Sequence, residues 1–76
     1  MFQLTLKATN EVLEAIPKFE LILDVYFLQI VEQRDDEREG TIELTINASH
    51  APATRTVLTV VYDLFQTALI NVKLFS

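Results

Sequence analysis

The amino-acid sequence predicts an α+β domain, a four-stranded antiparallel sheet with two helices on one face. Three observations lead to it. Apolar and polar residues alternate in runs at both ends of the chain and in its middle, the period of half-buried strands. Twice, between such runs, apolar residues recur every three or four positions, as on the buried face of a helix. A chain of 76 residues has room for one small core, and no linker, repeat or low-complexity segment divides it, so a single domain over residues 1–76 is expected.

Phe2, Leu4, Leu6 and Ala8 alternate with Gln3, Thr5 and Lys7, which makes a first strand with one buried and one wet face. Thr9 and Asn10 offer a helix cap, and Val12, Leu13, Ile16, Phe19 and Leu23 share one helical face. Pro17 lacks an amide donor and crowds the preceding turn, so the first helix either kinks there or starts late. From Val25 to Gln33 the chain is β-branched and aromatic, the composition of a second strand. Arg34-Asp35-Asp36-Glu37-Arg38-Glu39-Gly40 then connects it to a third, where Ile42, Leu44 and Ile46 alternate with Thr41, Glu43, Thr45 and Asn47. Ser49 to Thr54, with Pro52, resembles a helix entrance, and Val57, Leu58, Val61, Leu64, Phe65 and Ala68 form the second amphipathic pattern. Ile70, Val72 and Leu74 alternate with Asn71, Lys73 and Phe75 in a last strand. The order βαββαβ is the ferredoxin-like arrangement.

In that topology Gln3, Thr5, Lys7, Glu43, Thr45, Asn47, Asn71 and Lys73 share the uncovered face of the sheet. The second strand departs from this pattern. With Tyr26, Leu28 and Ile30 turned to the helices, Val25, Phe27 and Val31 stand around Gln29 on the open side of an edge strand. An apolar, unpaired edge invites another chain, so Val25, Phe27, Gln29 and Val31 are the expected dimer interface. Tyr26, Phe27 and Ile30 also fit helical spacing, and a longer first helix is the alternative.

Composition limits the functions available. The net charge of −5 and six scattered Lys and Arg residues oppose binding to a phosphate backbone, so no nucleic-acid partner is expected. The apolar stretch from Phe19 to Val31 is short for a bilayer and contains Glu20 and Asp24, which argues against a membrane. The start Met1-Phe2-Gln3-Leu4 lacks the features of a secretory leader, and there is no cysteine; a cytoplasmic protein is expected. Half the residues are apolar, high for so small a chain, which again points to a surface that meets a partner.

Catalytic equipment is sparse. His50 is the single histidine and sits beside Ser49 with no cysteine and no evident carboxylate, so a nucleophilic triad has no basis. Glu32, Asp35, Asp36, Glu37 and Glu39 match no calcium loop and read as a solvated hairpin tip. Glu20 and Asp24, four residues apart, read as an exposed helix face. RNA binding would call for aromatics where Thr5 and Thr45 stand. No enzyme activity, metal or cofactor is expected of this chain.

With that order of elements, the segment Ala8-Thr9-Asn10-Glu11-Val12-Leu13 and the strand Thr41-Ile42-Glu43-Leu44-Thr45-Ile46 resemble an ACT domain, and within it the short, isozyme II-type small regulatory subunits of acetohydroxyacid synthase. The resemblance spans nearly the whole chain, and most matched positions are apolar. It implies a regulatory module that pairs side by side through its second strand. It further implies docking on the catalytic subunit of a thiamine-diphosphate enzyme of branched-chain amino-acid synthesis, the cofactor belonging to that subunit. Many ACT domains bind an amino acid at the turn after the first strand, here Thr9, Asn10, Glu11 and Val12. Asn10-Glu11 stand where the family typically has Pro-Gly, and a glutamate there crowds the pocket and repels an effector carboxylate. Two further readings remain: a free-standing amino-acid-binding module, and a ferredoxin-like oligomerisation domain of unrelated function.

Overall fold

A computed structural model describes the backbone of residues 2–48 and 51–75 and the side chains of residues 3–47 and 55–74. The strands are β1 (Phe2–Thr9), β2 (Gln29–Asp36), β3 (Thr41–Ala48) and β4 (Leu69–Phe75), and the helices are α1 (Ile16–Val25) and α2 (Ala51–Phe65). Every strand pair is antiparallel, in the spatial order β2-β3-β1-β4, so β2 and β4 are the two edges. The fold is the predicted ferredoxin-like α+β arrangement.

Alternation on the two central strands organises the core. Leu4, Leu6 and Ala8 of β1 lie opposite Ile46, Leu44 and Ile42 of β3, and all six are buried on the face that the helices cover. Phe19 and Leu23 of α1 and Val57, Val61 and Phe65 of α2 close over them. The Phe19 and Phe65 rings meet edge-on with centroids 5.1 Å apart, a favourable aromatic geometry. The other face is polar: Gln3 opposes Asn47, Thr5 opposes Thr45 and Lys7 opposes Glu43. Thr5 and Lys7 also face Lys73 and Asn71 of β4. These are the open-face residues that the alternation predicts.

The first helix starts late, one of the two outcomes expected of Pro17. Residues Asn10–Ala15 form a 3₁₀ helix, and α1 begins at Ile16 with Pro17 in its first turn, where a missing N–H leaves no intrahelical bond unmade. The tighter winding turns Leu13 to solvent, although the sequence groups it with the buried face; Val12, Ile16, Phe19 and Leu23 are buried as expected. In α2, Val57, Val61 and Phe65 are buried, while Leu58 and Leu64 pack at the margin of the core.

The second strand is corrected at its start. It begins at Gln29, not Val25, because α1 continues through Val25 and a turn follows at Tyr26 and Phe27. Tyr26 therefore does not lie on a strand facing the helices. The helix does not run on to Ile30 either, so the boundary falls between the two readings of the sequence. Leu28 and Ile30 do turn to the helices. Ile30 opposes Ile46, and Glu32 opposes Thr45, so Val31 is the extra residue of a bulge. The bulge reverses the alternation. Without an extra residue, Glu32 and Arg34 would share the face of Ile30 and point at the helices; with it, they join the polar face.

Two results follow from this packing. Phe19→Ala empties the centre of the core and is expected to destabilise the fold by about 3–5 kcal/mol in urea unfolding. Deletion of Val31 removes the extra residue without changing the face of any residue from Glu32 to Asp36, so the midpoint is expected to shift by less than about 1 kcal/mol. A larger loss would show that the bulge itself holds β2 on β3.

Candidate interaction surface

The turn after β1 is the first candidate. Asn10 N–H donates to Gly40 O at 2.9 Å, and Gly40 N–H donates to Asp36 O at 2.8 Å, which fastens the turn to the β2–β3 hairpin. Gly40 has φ of +68°, a conformation glycine adopts without penalty. Asn10 and Glu11 are exposed, and Val12 is buried in the core. The Thr9 hydroxyl is buried and makes no hydrogen bond among the described residues. The adjoining depression is lined by Asn10, Leu13, Asp35, Asp36, Glu37, Thr41 and Ile42, with three carboxylates and no cation to receive an effector carboxylate. Because α1 starts only at Ile16, its positive end is displaced from the turn, and Pro17 removes one of its amide donors. Thr9, Asn10 and Glu11 are thus brought together in a setting suited to anchoring a hairpin.

The open face of the sheet is charged but balanced. Arg34, Glu43 and Lys7 stand opposite one another across β2, β3 and β1, so the signs alternate along the row. Lys7 also pairs with Glu39 at 3.5 Å, and Arg34 with Glu32. The hydrogen bond from Arg34 to Glu32, reinforced by the charge of Glu32, holds the guanidinium above its ordinary range. Thr5 and Thr45 face each other with hydroxyls 3.5 Å apart. Among the described residues no group of three His, Cys, Asp or Glu is placed to hold a metal ion. No helix formed by the described residues is long and apolar enough to cross a membrane. Ser49 and His50 lie outside the described residues.

Exposed apolar side chains gather at the other end of α1. Leu21, Val25 and Phe27 are 70%, 71% and 97% exposed, and Tyr26 and Val31 beside them are about half exposed. Of the expected interface, Gln29 and Val31 lie on the edge strand, while Val25 ends α1 and Phe27 occupies the turn. Leu21 does not belong to the buried face of the helix, and an apolar residue off that face was the available signal in the sequence. A cleft between α1 and the start of β2 is lined by Pro17, Glu20, Leu21, Leu23, Asp24, Leu28, Gln29 and Ile30. Glu20 and Asp24 are exposed, as the helical spacing predicts.

Phe27 has an unusual backbone. Leu28 N–H donates to Leu23 O at 3.0 Å and Phe27 N–H to Asp24 O at 3.1 Å, while Leu23 and Leu28 are both buried. This is the Schellman pattern that ends a helix, and its left-handed position normally holds glycine. Here it holds phenylalanine, with φ of 59°. A bulky side chain in that conformation destabilises the fold by about 1 kcal/mol relative to glycine, and an exposed ring recovers little of it by packing.

No family model matches the chain, and no curated protein matches it. Among solved structures it is similar to a de novo designed protein, Ferredog-Diesel, with a TM-score of 0.66 and 18% identity over 99% of this chain and 83% of that one. At that identity the likeness concerns the fold alone, which it supports.

Phe27→Gly is expected to raise the stability of the isolated chain by about 1 kcal/mol in chemical denaturation. An unchanged or lower midpoint would mean that the ring stabilises the turn.

Proposed function

We propose that this chain is a non-catalytic interaction module that pairs with a second copy through the free edge of β2 and regulates a catalytic subunit. The observation that carries it is the free edge of β2, where half-exposed Val31 stands among charges that complement those of a second copy. The charges of β2 favour self-pairing in one register. Antiparallel pairing about Gln33 sets Glu32 of one copy opposite Arg34 of the other, twice, and opposes no like charges, since the central residue is neutral. Gln29 and Val31 lie within this interface; Val25 and Phe27 flank it.

The likeness in sequence to ACT-type small subunits of acetohydroxyacid synthase supports a narrower version. There the partner is a thiamine-diphosphate-dependent catalytic chain, and activation follows from tighter binding to its active conformation. An amino-acid effector is the second reading, resting on the position of the turn after β1 in that family. The acidic lining of that turn disfavours the carboxylate end of such a ligand.

Sedimentation equilibrium is expected to show a dimer that Arg34→Glu, which sets a carboxylate opposite Glu32 of the other copy twice, converts to monomer. Added to a purified acetohydroxyacid synthase catalytic chain, the dimer is expected to bind and raise its rate. A monomeric parent chain would overturn the pairing, and a catalytic chain that neither binds nor responds would overturn the narrower assignment. Leucine, valine and isoleucine are expected to leave the thermal midpoint unchanged; a concentration-dependent rise would favour the effector reading.

A further inference from the structure

We infer that the cleft between α1 and β2, together with Phe27 in the turn that joins them, is a docking site for a cationic amphipathic helix of another protein. The inference rests on reading the chain as an interaction module, and it names the chemistry of the partner. Three features of this surface converge. The first is shape, because the cleft follows α1 from Pro17 to Asp24 and has Leu21, Leu23, Leu28 and Ile30 along it. A groove of that length beside a helix suits apolar side chains spaced three and four residues apart on an incoming helix.

Charge is the second feature. Glu20 and Asp24 line the cleft and no lysine or arginine does. The last turn of α1 carries no basic residue, so the negative end of its dipole is left without a counter-charge. An arriving Lys or Arg meets two carboxylates and a helix C-terminus, all of one sign. A second copy brings the same carboxylates to the same place and carries a net charge of −5, so charge selects a cationic partner over self-association here.

Phe27 is the third. It is 97% exposed in a conformation that glycine adopts more readily, so the isolated domain is weakened by its presence. Gln66 also has a positive φ, but it is polar and its exposure is ordinary. An aromatic ring held out from a helix end has the form of an interface anchor, able to pack on apolar groups and to face a cation. Val25 and Phe27 lie off the strand that the second copy would pair with, which leaves them for a different chain.

The test uses the full chain and two synthetic amphipathic peptides of about four helical turns. Both have the same leucine face, one flanked by lysines and the other by glutamates. Calorimetric titration is expected to show binding of the lysine peptide alone, weakening as salt rises. Amide shifts are expected to centre on Leu21, Asp24, Phe27 and Leu28. Phe27→Gly, which should fold more stably, is expected to lose affinity by at least about tenfold, and Glu20→Gln with Asp24→Asn by several-fold. Equal binding of both peptides, no binding of either, or full affinity in Phe27→Gly would overturn the inference. So would self-association that depends on Phe27. A dimer that survives Phe27→Gly but ignores the lysine peptide would remove this site and leave the pairing through β2 standing. A monomeric chain that binds the peptide would do the reverse.

Discussion

The whole arrangement depends on a sheet that is apolar on one face and polar on the other. Leu4, Leu6 and Ala8 of β1 and Ile42, Leu44 and Ile46 of β3 present a continuous apolar surface. Water must be excluded from that surface, and both helices pack on it. The opposite face carries Gln3, Thr5, Lys7, Glu43, Thr45 and Asn47 and needs no cover. With both helices on one side and four strands in the order β2-β3-β1-β4, two strand edges are left without neighbours. The unpaired backbone groups of the sheet therefore lie along its two margins.

The two margins differ. At β4, Ile70 and Leu74 are half exposed, Lys73 is the single charge, and the register against β1 shifts between Lys7 and Ala8. At β2, a short apolar start gives way to Glu32, Gln33, Arg34, Asp35 and Asp36, and a bulge interrupts the strand. Charges and bulges limit indiscriminate pairing of edges, and alternating signs permit pairing in a defined register. The β2 margin therefore carries charges of both signs, which the β4 margin lacks. Its neighbour, the end of α1, adds exposed Leu21, Val25 and Phe27, which a domain of this size does not require for folding. The same margin thus holds a backbone edge and an apolar cleft with an acidic border, two surfaces of different chemistry.

The turn after β1 has a structural task in this chain. Its link from Asn10 to Gly40 ties the first crossover to the β2–β3 hairpin, and Val12 goes into the core. A long 3₁₀ segment separates it from α1. Three carboxylates beside it and the displaced helix end make it a poor cradle for an anion.

Sequence by itself determined the number and order of the elements and the inner faces of β1, β3 and most of both helices. Alternation along β1 and β3 and the three-to-four spacing of Ile16, Phe19, Leu23, Val57, Val61 and Phe65 are local patterns, and each reports directly which side of an element is dry. Only tertiary structure decided where α1 begins and ends, that Leu13 is exposed, that Val31 forms a bulge and that Phe27 turns left-handed at the helix end. Those features depend on how far the chain must travel between β1 and β2 and on the register of β2 against β3. Residues from Val25 to Val31 have the composition of a strand and, at Tyr26, Phe27 and Ile30, also the spacing of a helix. Burial of Leu23 and Leu28 and the pairing of Ile30 with Ile46, contacts distant along the chain, resolve that local tie.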